Sequence, residues 1–314
     1  MMYTGQVLHP LVNYDSPRQL RAFLEERGLG MRKKHGQNFL INSRARRQLI
    51  DALEIEPENS VWEIGPGLGA MTWELLQRGA NVTAFEIDPA FAKALREFFP
   101  HTEPLEKQRF NLIEGDVMKT WHPVSLLNQE VAKDIFLFGN LPYNIAAALL
   151  ADFIENKCFF KRAVVTVQKE VAQRMAAKPG SKDYSSFSVL CSSVYKITPL
   201  FVIKPDSFFP PPNVDSQGVR MDMLNENKNL PPLFYPLVRA LFSSRRKTIR
   251  NTLSNFASSV TMKTKMKKSI SSRDAAEEVF HRTGISGDRR PETLNVEEFA
   301  ALAGALEEVV FDGQ

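Results

Sequence analysis

Short apolar runs recur through the first part of the chain, at residues 61–64, 81–85, 110–114, 134–139 and 162–168. Each is closed by a glycine, an acid or a polar amide. Runs of this length bounded by turn residues read as buried strands. Between them, residues 70–78 have helical spacing, Asp88-Pro89 opens a second helix, and a third starts at Asn144. This alternation predicts an α/β fold, a doubly wound parallel sheet with ligand sites at the carboxyl ends of its strands. Upstream, Ser16 as N-cap, Pro17 at the first helical position, Gln19 completing a capping box and Gly28 as terminator predict a short helix. Downstream, a helix over 185–195 and strands over 200–204 and 218–224 flank the segment 208–216, which three prolines stiffen. Residues 225–232 read as a linker, and from Leu233 the pattern is helical without strand signal. The expected organisation is an extension over 1–30, an α/β domain over 31–226 and a small helical domain over 227–314. The Ser-, Thr- and Lys-rich stretch 258–272 is expected to form a mobile hairpin.

The strand ends carry the chemistry. Gly65, Gly67 and Gly69 make a turn where backbone approaches a ligand closely. Glu86, about twenty residues on, is placed to accept hydrogen bonds from ribose hydroxyls. The G-x-G-x-G spacing favours S-adenosylmethionine over a dinucleotide, which needs a free helix N-terminus for its pyrophosphate. Asp116, after Gly115, is placed to accept from an adenine amine, with an ordinary turn Asp as the alternative. Asn140-Leu141-Pro142-Tyr143 presents an amide, a carbonyl and an aromatic face together. That set suits an adenine exocyclic amine: the Asn140 side-chain oxygen and the Leu141 carbonyl accept its two N–H bonds, Pro142 locks the loop and Tyr143 stacks on the ring. A plain strand-to-helix turn is the alternative. No His or Glu lies in that loop, so no dedicated general base is expected.

Charge changes the picture more than composition does. The net charge is only +4, yet residues 27–47 hold seven basic and no acidic side chains and residues 239–268 hold nine and none, leaving −12 on the rest. The first block includes Lys33 and Lys34, the second Arg245, Arg246, Lys247 and Arg250. Two acid-free blocks point to a polyanion gripped at two places, against the alternative of solvated helix faces. Cys158 and Cys191 lie in apolar surroundings, the five histidines are scattered and no run is long enough to span a membrane. Neither disulfide nor metal is expected, and the compartment expected is the cytoplasm.

The motifs GQNFL, EIGPGLG, NLPYNI, QKEVAQRM, FFPPPNVDS, SRRKTIRNTL and RRPETLNVEEF, with Glu86 and Gly115-Asp116, resemble those of the ribosomal RNA adenine dimethyltransferases. The resemblance covers about residues 33–299. It implies a Rossmann-like methyltransferase domain and a helical RNA-binding domain. It also implies S-adenosylmethionine held at Asn38, Leu40, Gly65, Glu86, Asp116 and Asn140, with Phe208 facing Tyr143 across the base. The activity implied is dimethylation of N6 on two adjacent adenosines near the 3′ end of small-subunit rRNA, by a monomer acting on an assembling subunit. Asn213 departs from the lysine usual after the prolines. The rival readings are a large-subunit enzyme modifying a single adenosine, a non-enzymatic rRNA-binding assembly factor, and a small-molecule methyltransferase, which leaves the sixteen clustered basic residues unexplained.

Overall fold

The computed structural model describes residues 12–30, 38–99, 109–127, 134–224, 230–263 and 271–311. Lys33 and Lys34 lie outside them. The chain forms two compact units, one running to Ala172 and resuming over Lys196–Met223, the other built from Gln173–Tyr195 and Leu224–Gln314.

In chain order the first elements are α1 (Pro17–Glu26), β1 (Phe39–Leu40), α2 (Ser43–Leu53), β2 (Ser60–Ile64), α3 (Ala70–Gln77), β3 (Asn81–Glu86), α4 (Pro89–Phe98), β4 (Phe110–Glu114), α5 (Val117–Leu127), β5 (Phe136–Asn140), α6 (Ala146–Glu155), β6 (Arg162–Gln168) and α7 (Lys169–Ala176). Then come α8 (Ser186–Val194), β7 (Tyr195–Ile203), β8 (Phe208–Phe209), β9 (Ser216–Met223), α9 (Phe234–Phe242), α10 (Ile249–Lys263), α11 (Ser272–Thr283) and α12 (Val296–Phe311).

The first unit is built on a seven-stranded sheet in the order β4-β3-β2-β5-β6-β9-β7. Its five strands from β4 to β6 are parallel, whereas β9 runs antiparallel to β6. The sheet is therefore mixed, where the sequence pattern predicts a parallel one. The chain enters β9 from β7 through residues 204–215, a connection without an α-helix, unlike those between the parallel strands. The continuous apolar runs fit central strands covered on both faces, since Val61, Leu137, Phe138, Val164 and Val165 are all buried. Sequence order reverses at β2, which lies between β3 and β5. A crevice forms at the carboxyl ends of strands at such a switch point.

Local signals explain the helix starts. Asp88 caps α4 by accepting from Ala90 N–H at 2.9 Å, with Pro89 in the first turn. Ser16 caps α1 by accepting from Gln19 N–H at 3.3 Å. The expected box is only half made, because the Ser16 N–H goes to the Asn13 carbonyl. β7 starts five residues earlier than predicted and runs through Pro199. It is the outermost strand of the sheet, the place where proline is tolerated because one side of the strand has no ladder partner.

The second unit is helical. Tyr184, Phe234, Leu241, Leu253, Phe280 and Phe299 belong to its core. The Tyr184 hydroxyl donates to the Leu294 carbonyl at 2.9 Å. α10 runs on to Lys263, so the first part of the expected hairpin over 258–272 is helix instead; residues 264–270 lie outside the described ones.

Candidate active site

One pocket lies over the carboxyl ends of β2, β3 and β5, bordered by Asn38, Phe39 and Leu40 of the β1 segment. The turn after β2 forms its floor. Gly67 has φ +58°, and a Cβ there would meet the Phe39 ring at 2.8 Å, so any other residue is strained and must push that ring aside. The Gly67 N–H donates to Glu86 Oε2 at 3.0 Å, and the Asp88 N–H donates to Oε1 at 2.8 Å. Both carboxylate oxygens of Glu86 are thereby oriented, each with lone-pair capacity remaining. Burial pushes the Glu86 carboxyl up to about 7, against the pull of those backbone donors.

Glu63, on β2, also lines the pocket, a site residue beyond those the sequence motifs predict. It is 2% exposed, accepts from the Thr72 hydroxyl at 2.6 Å, and burial pushes it up to about 7, with the Glu86 charge adding to the rise. A carboxylate alone inside an apolar strand was the available signal. Two buried acids in one pocket favour a cationic occupant, which would keep both ionised.

At the end of β5 the Asn140 Nδ2 donates to the Asn38 carbonyl at 2.8 Å. Among the described residues nothing donates to Asn140 Oδ1 or to the Leu141 carbonyl. Leu141 is held by its N–H on the Thr166 carbonyl at 3.1 Å and by a side chain only 1% exposed. The Pro142 carbonyl accepts from Ile145 and Ala146 N–H at 3.1 Å each, which joins the loop to α6. Tyr143 lines the pocket, and its hydroxyl shares a hydrogen bond of 2.5 Å with the Ser216 Oγ of β9. Two acceptors and one aromatic face thus stand beside a glycine turn and an oriented carboxylate. That arrangement suits a planar amine.

Two expected site residues, Phe208 and Asp116, are placed differently. Phe208 is 2% exposed and lies in the first unit's core, because its pairing with Leu40 across β1 and β8 turns it inward. It does not line the pocket. Phe209 is half-buried, with the Arg21 guanidinium carbon 5.5 Å from its ring centre. Asp116 stands outside the pocket lining and uses Oδ1 to accept from Met118 N–H at 3.0 Å, opening α5.

The basic blocks divide in the same way. Arg246 and Lys247 are exposed, and their side chains have no partner among the described residues. Arg245 donates to the Lys182 and Tyr184 carbonyls at 3.2 and 2.7 Å. Arg250 pairs with Glu277 and Asp288 and covers the Phe280 ring at 5.6 Å. Arg250 is therefore a fixture of its own unit, where the sequence pattern placed it on RNA. Among the described residues no cluster of three or more His, Cys, Asp or Glu is arranged to hold a metal, and no helix is long and apolar enough to cross a membrane.

The family model of ribosomal RNA adenine dimethylases matches residues 28–283. The chain is 44% identical to a ribosomal RNA small subunit methyltransferase A of Treponema denticola, over 97% of this chain and 99% of the relative. A protein of the same name from Borreliella burgdorferi is 38% identical over 94% and 95%. Among solved structures, a dimethyladenosine transferase from Plasmodium falciparum matches with TM-score 0.68 at 25% identity, covering 85% of this chain and 97% of that one. The 23S rRNA methyltransferase ErmE shares the fold, with TM-score 0.55 at 22% identity over 85% and 99%.

Proposed function

Because this chain belongs to the ribosomal RNA adenine dimethylase family, we propose that it transfers methyl groups from S-adenosylmethionine to N6 of two adjacent adenosines near the 3′ end of small-subunit rRNA. Its substrate is the rRNA of an assembling small subunit in the cytoplasm, and it acts as a monomer. The observation that carries the reading is the pair of acceptors, Asn140 Oδ1 and the Leu141 carbonyl, that receive no hydrogen bond from the described residues at the carboxyl end of β5.

The pocket fits the methyl donor. Gly67 leaves room for it where a side chain would close on Phe39, Glu86 presents an oriented carboxylate to a ribose diol, and the buried Glu63 and Glu86 suit a cation. Asn38, Leu40, Gly65, Gly67, Glu86 and Asn140 line the pocket that would hold it; Asp116, outside that lining, keeps Oδ2 as the acceptor for an adenine amine. When bound, S-adenosylmethionine supplies a methyl carbon made electrophilic by its sulfonium.

The residues of the loop do the rest. N6 of adenine is a weak nucleophile because its lone pair is delocalised into the ring. Two acceptors on its N–H bonds favour localisation of the pair on nitrogen and point it along one direction. Leu141, fixed through its N–H and its buried side chain, holds one acceptor still, and the Asn38 carbonyl orients the other. Tyr143, anchored on Ser216, offers a face to a base drawn out of its stack. The methylated amine is acidic enough to lose its proton to water, consistent with a loop that carries no base. Arg246 and Lys247 are the phosphate contacts assigned to the second unit, and Lys33 and Lys34 those before β1.

The test is primer extension across the 3′ end of small-subunit rRNA from cells lacking the gene. Two adjacent stops present with the gene, absent without it and restored by complementation support the reading. A stop lost instead from large-subunit rRNA favours the single-adenosine enzyme, and unchanged stops favour an assembly factor.

A further inference from the structure

The family match begins at residue 28, yet two side chains upstream of it, Tyr14 and Leu20, line the pocket. This segment is folded into the first unit: Val12 and Leu20 are 4% and 1% exposed within its core. The Tyr14 hydroxyl donates to the Leu68 carbonyl, in the glycine turn, at 2.7 Å. Asp15 pairs with Arg46 at 2.5 Å. Arg46 is 5% exposed, donates to the Leu40 carbonyl at 2.9 Å, reaches Glu74 of α3 at 3.5 Å, and lies 6.0 Å from the Tyr14 ring centre. A buried guanidinium is costly unless its donors are used. Here β1, α3 and the upstream segment share them, so Arg46 clasps that segment to two walls of the pocket while Tyr14 ties it to the floor.

The floor is where such a tether has most effect. Gly65, Gly67 and Gly69 all have positive φ, and three glycines in a row of five leave a backbone with many alternatives when no ligand holds it. A contact that removes those alternatives beforehand lowers the ordering cost of binding.

We infer that Tyr14 is a positioning residue of the cofactor pocket, whose ring forms one wall and whose hydroxyl fixes the glycine turn through the Leu68 carbonyl. This rests on the reading of the pocket as an S-adenosylmethionine site. The occupant it serves is the methyl donor and its demethylated product, not the RNA.

The test uses the full chain with Tyr14→Phe, Tyr14→Ala and Asp15→Asn, titrated calorimetrically with S-adenosylmethionine and S-adenosylhomocysteine and assayed on small-subunit particles. Tyr14→Phe should weaken both cofactor affinities roughly five-fold, the scale of one neutral hydrogen bond. It should raise KM for the donor while leaving kcat and RNA affinity at wild-type values. Tyr14→Ala should weaken them further. A structural role alone would lower the melting temperature with unchanged cofactor affinity in the folded fraction, and that result overturns the inference. If Tyr14→Ala fails to fold, Tyr14→Phe and Asp15→Asn decide: cofactor affinity within two-fold of wild type in both is contrary to it. Wild-type protein that binds no cofactor overturns the reading of the pocket itself, and the inference with it.

Discussion

Asn140 donates through Nδ2 to the Asn38 carbonyl at 2.8 Å across 102 positions of sequence, and this one bond decides which end of its amide is left for a substrate. The two ends of an amide side chain differ in chemistry, so fixing the donor end on protein leaves an acceptor for an amine. Replacing Asn140 with Ala should reduce methyl transfer by roughly 10² or more with RNA affinity within a few-fold, the scale of one missing transition-state hydrogen bond. Single-turnover assays measure it. Near-normal turnover would remove Asn140 from the mechanism.

Tyr143 carries two functions in this structure. Its ring lines the pocket and its hydroxyl is bonded to the buried Ser216. The hydroxyl ties the ring to β9. Tyr143→Phe should keep the stacking face but loosen its aim and leave Ser216 short of a partner, for a several-fold loss in kcat on the scale of one hydrogen bond, about 1 kcal/mol. Tyr143→Ala should lose stacking as well, at about 1 to 3 kcal/mol. Equal losses for the two variants would show that the ring does not stack.

Phe208→Ala should act on stability. A 2% exposed core phenylalanine cut to Ala costs about 3 to 5 kcal/mol through reduced burial and the cavity left behind. Chemical denaturation should show a lower midpoint, with cofactor affinity of the folded fraction retained. If stability holds while transfer on RNA collapses, Phe208 leaves the core to meet the base.

Glu63 and Glu86 are both pushed up from 4.5 to about 7. Between those values the folded chain holds protons that the unfolded chain has released, so ligand-free stability should fall as pH rises from about 4.5 to 7, by a few kcal/mol at most. Glu63→Gln should flatten that slope. Glu54 and Asp222, held below their ordinary range, Glu54 chiefly by hydrogen bonds from Arg220 and Arg162 and Asp222 by those same two arginines against its own desolvation, work in the opposite sense. Their stabilisation is present above the unfolded carboxylate range and is lost as pH falls below it. Melting temperatures over pH 3 to 8, without cofactor, separate the two windows; no fall between 4.5 and 7 would contradict the buried-acid reading.

Arg246→Ala with Lys247→Ala should flatten the dependence of log RNA affinity on log salt by about 0.7 to 0.9 for each phosphate no longer neutralised. Arg250→Ala should leave that slope unchanged, because its guanidinium is taken up by Glu277 and Asp288. The reverse result would exchange their roles.

Much of this was readable from sequence where a local rule acts alone. The strands β4 and β6 fall on their predicted residues, and the capped start of α4 follows from Asp88-Pro89. α5 carries Pro123 in its interior, which breaks the helical pattern, and the sequence signals do not reveal it. What failed were properties that depend on partners distant in sequence. Whether Arg46 and Arg250 meet RNA or carboxylates is set by Asp15, Glu277 and Asp288, and no spacing rule finds such pairs. Phe208 and Phe209 are equivalent as letters; the register against Leu40 and Phe39 decides which one is buried. Glu63 is marked in sequence only as a carboxylate within an apolar run, and its character comes from its burial and its neighbour Glu86.

The most direct test of the central claim is the number and position of methyl groups added by the purified chain. Small-subunit particles lacking the modification, incubated with isotopically labelled S-adenosylmethionine, should gain four methyl groups as two adjacent N6,N6-dimethyladenosines near the 3′ end of the rRNA, read by mass spectrometry of nuclease fragments. Label confined to a single adenosine, label on large-subunit rRNA, or none would contradict the account.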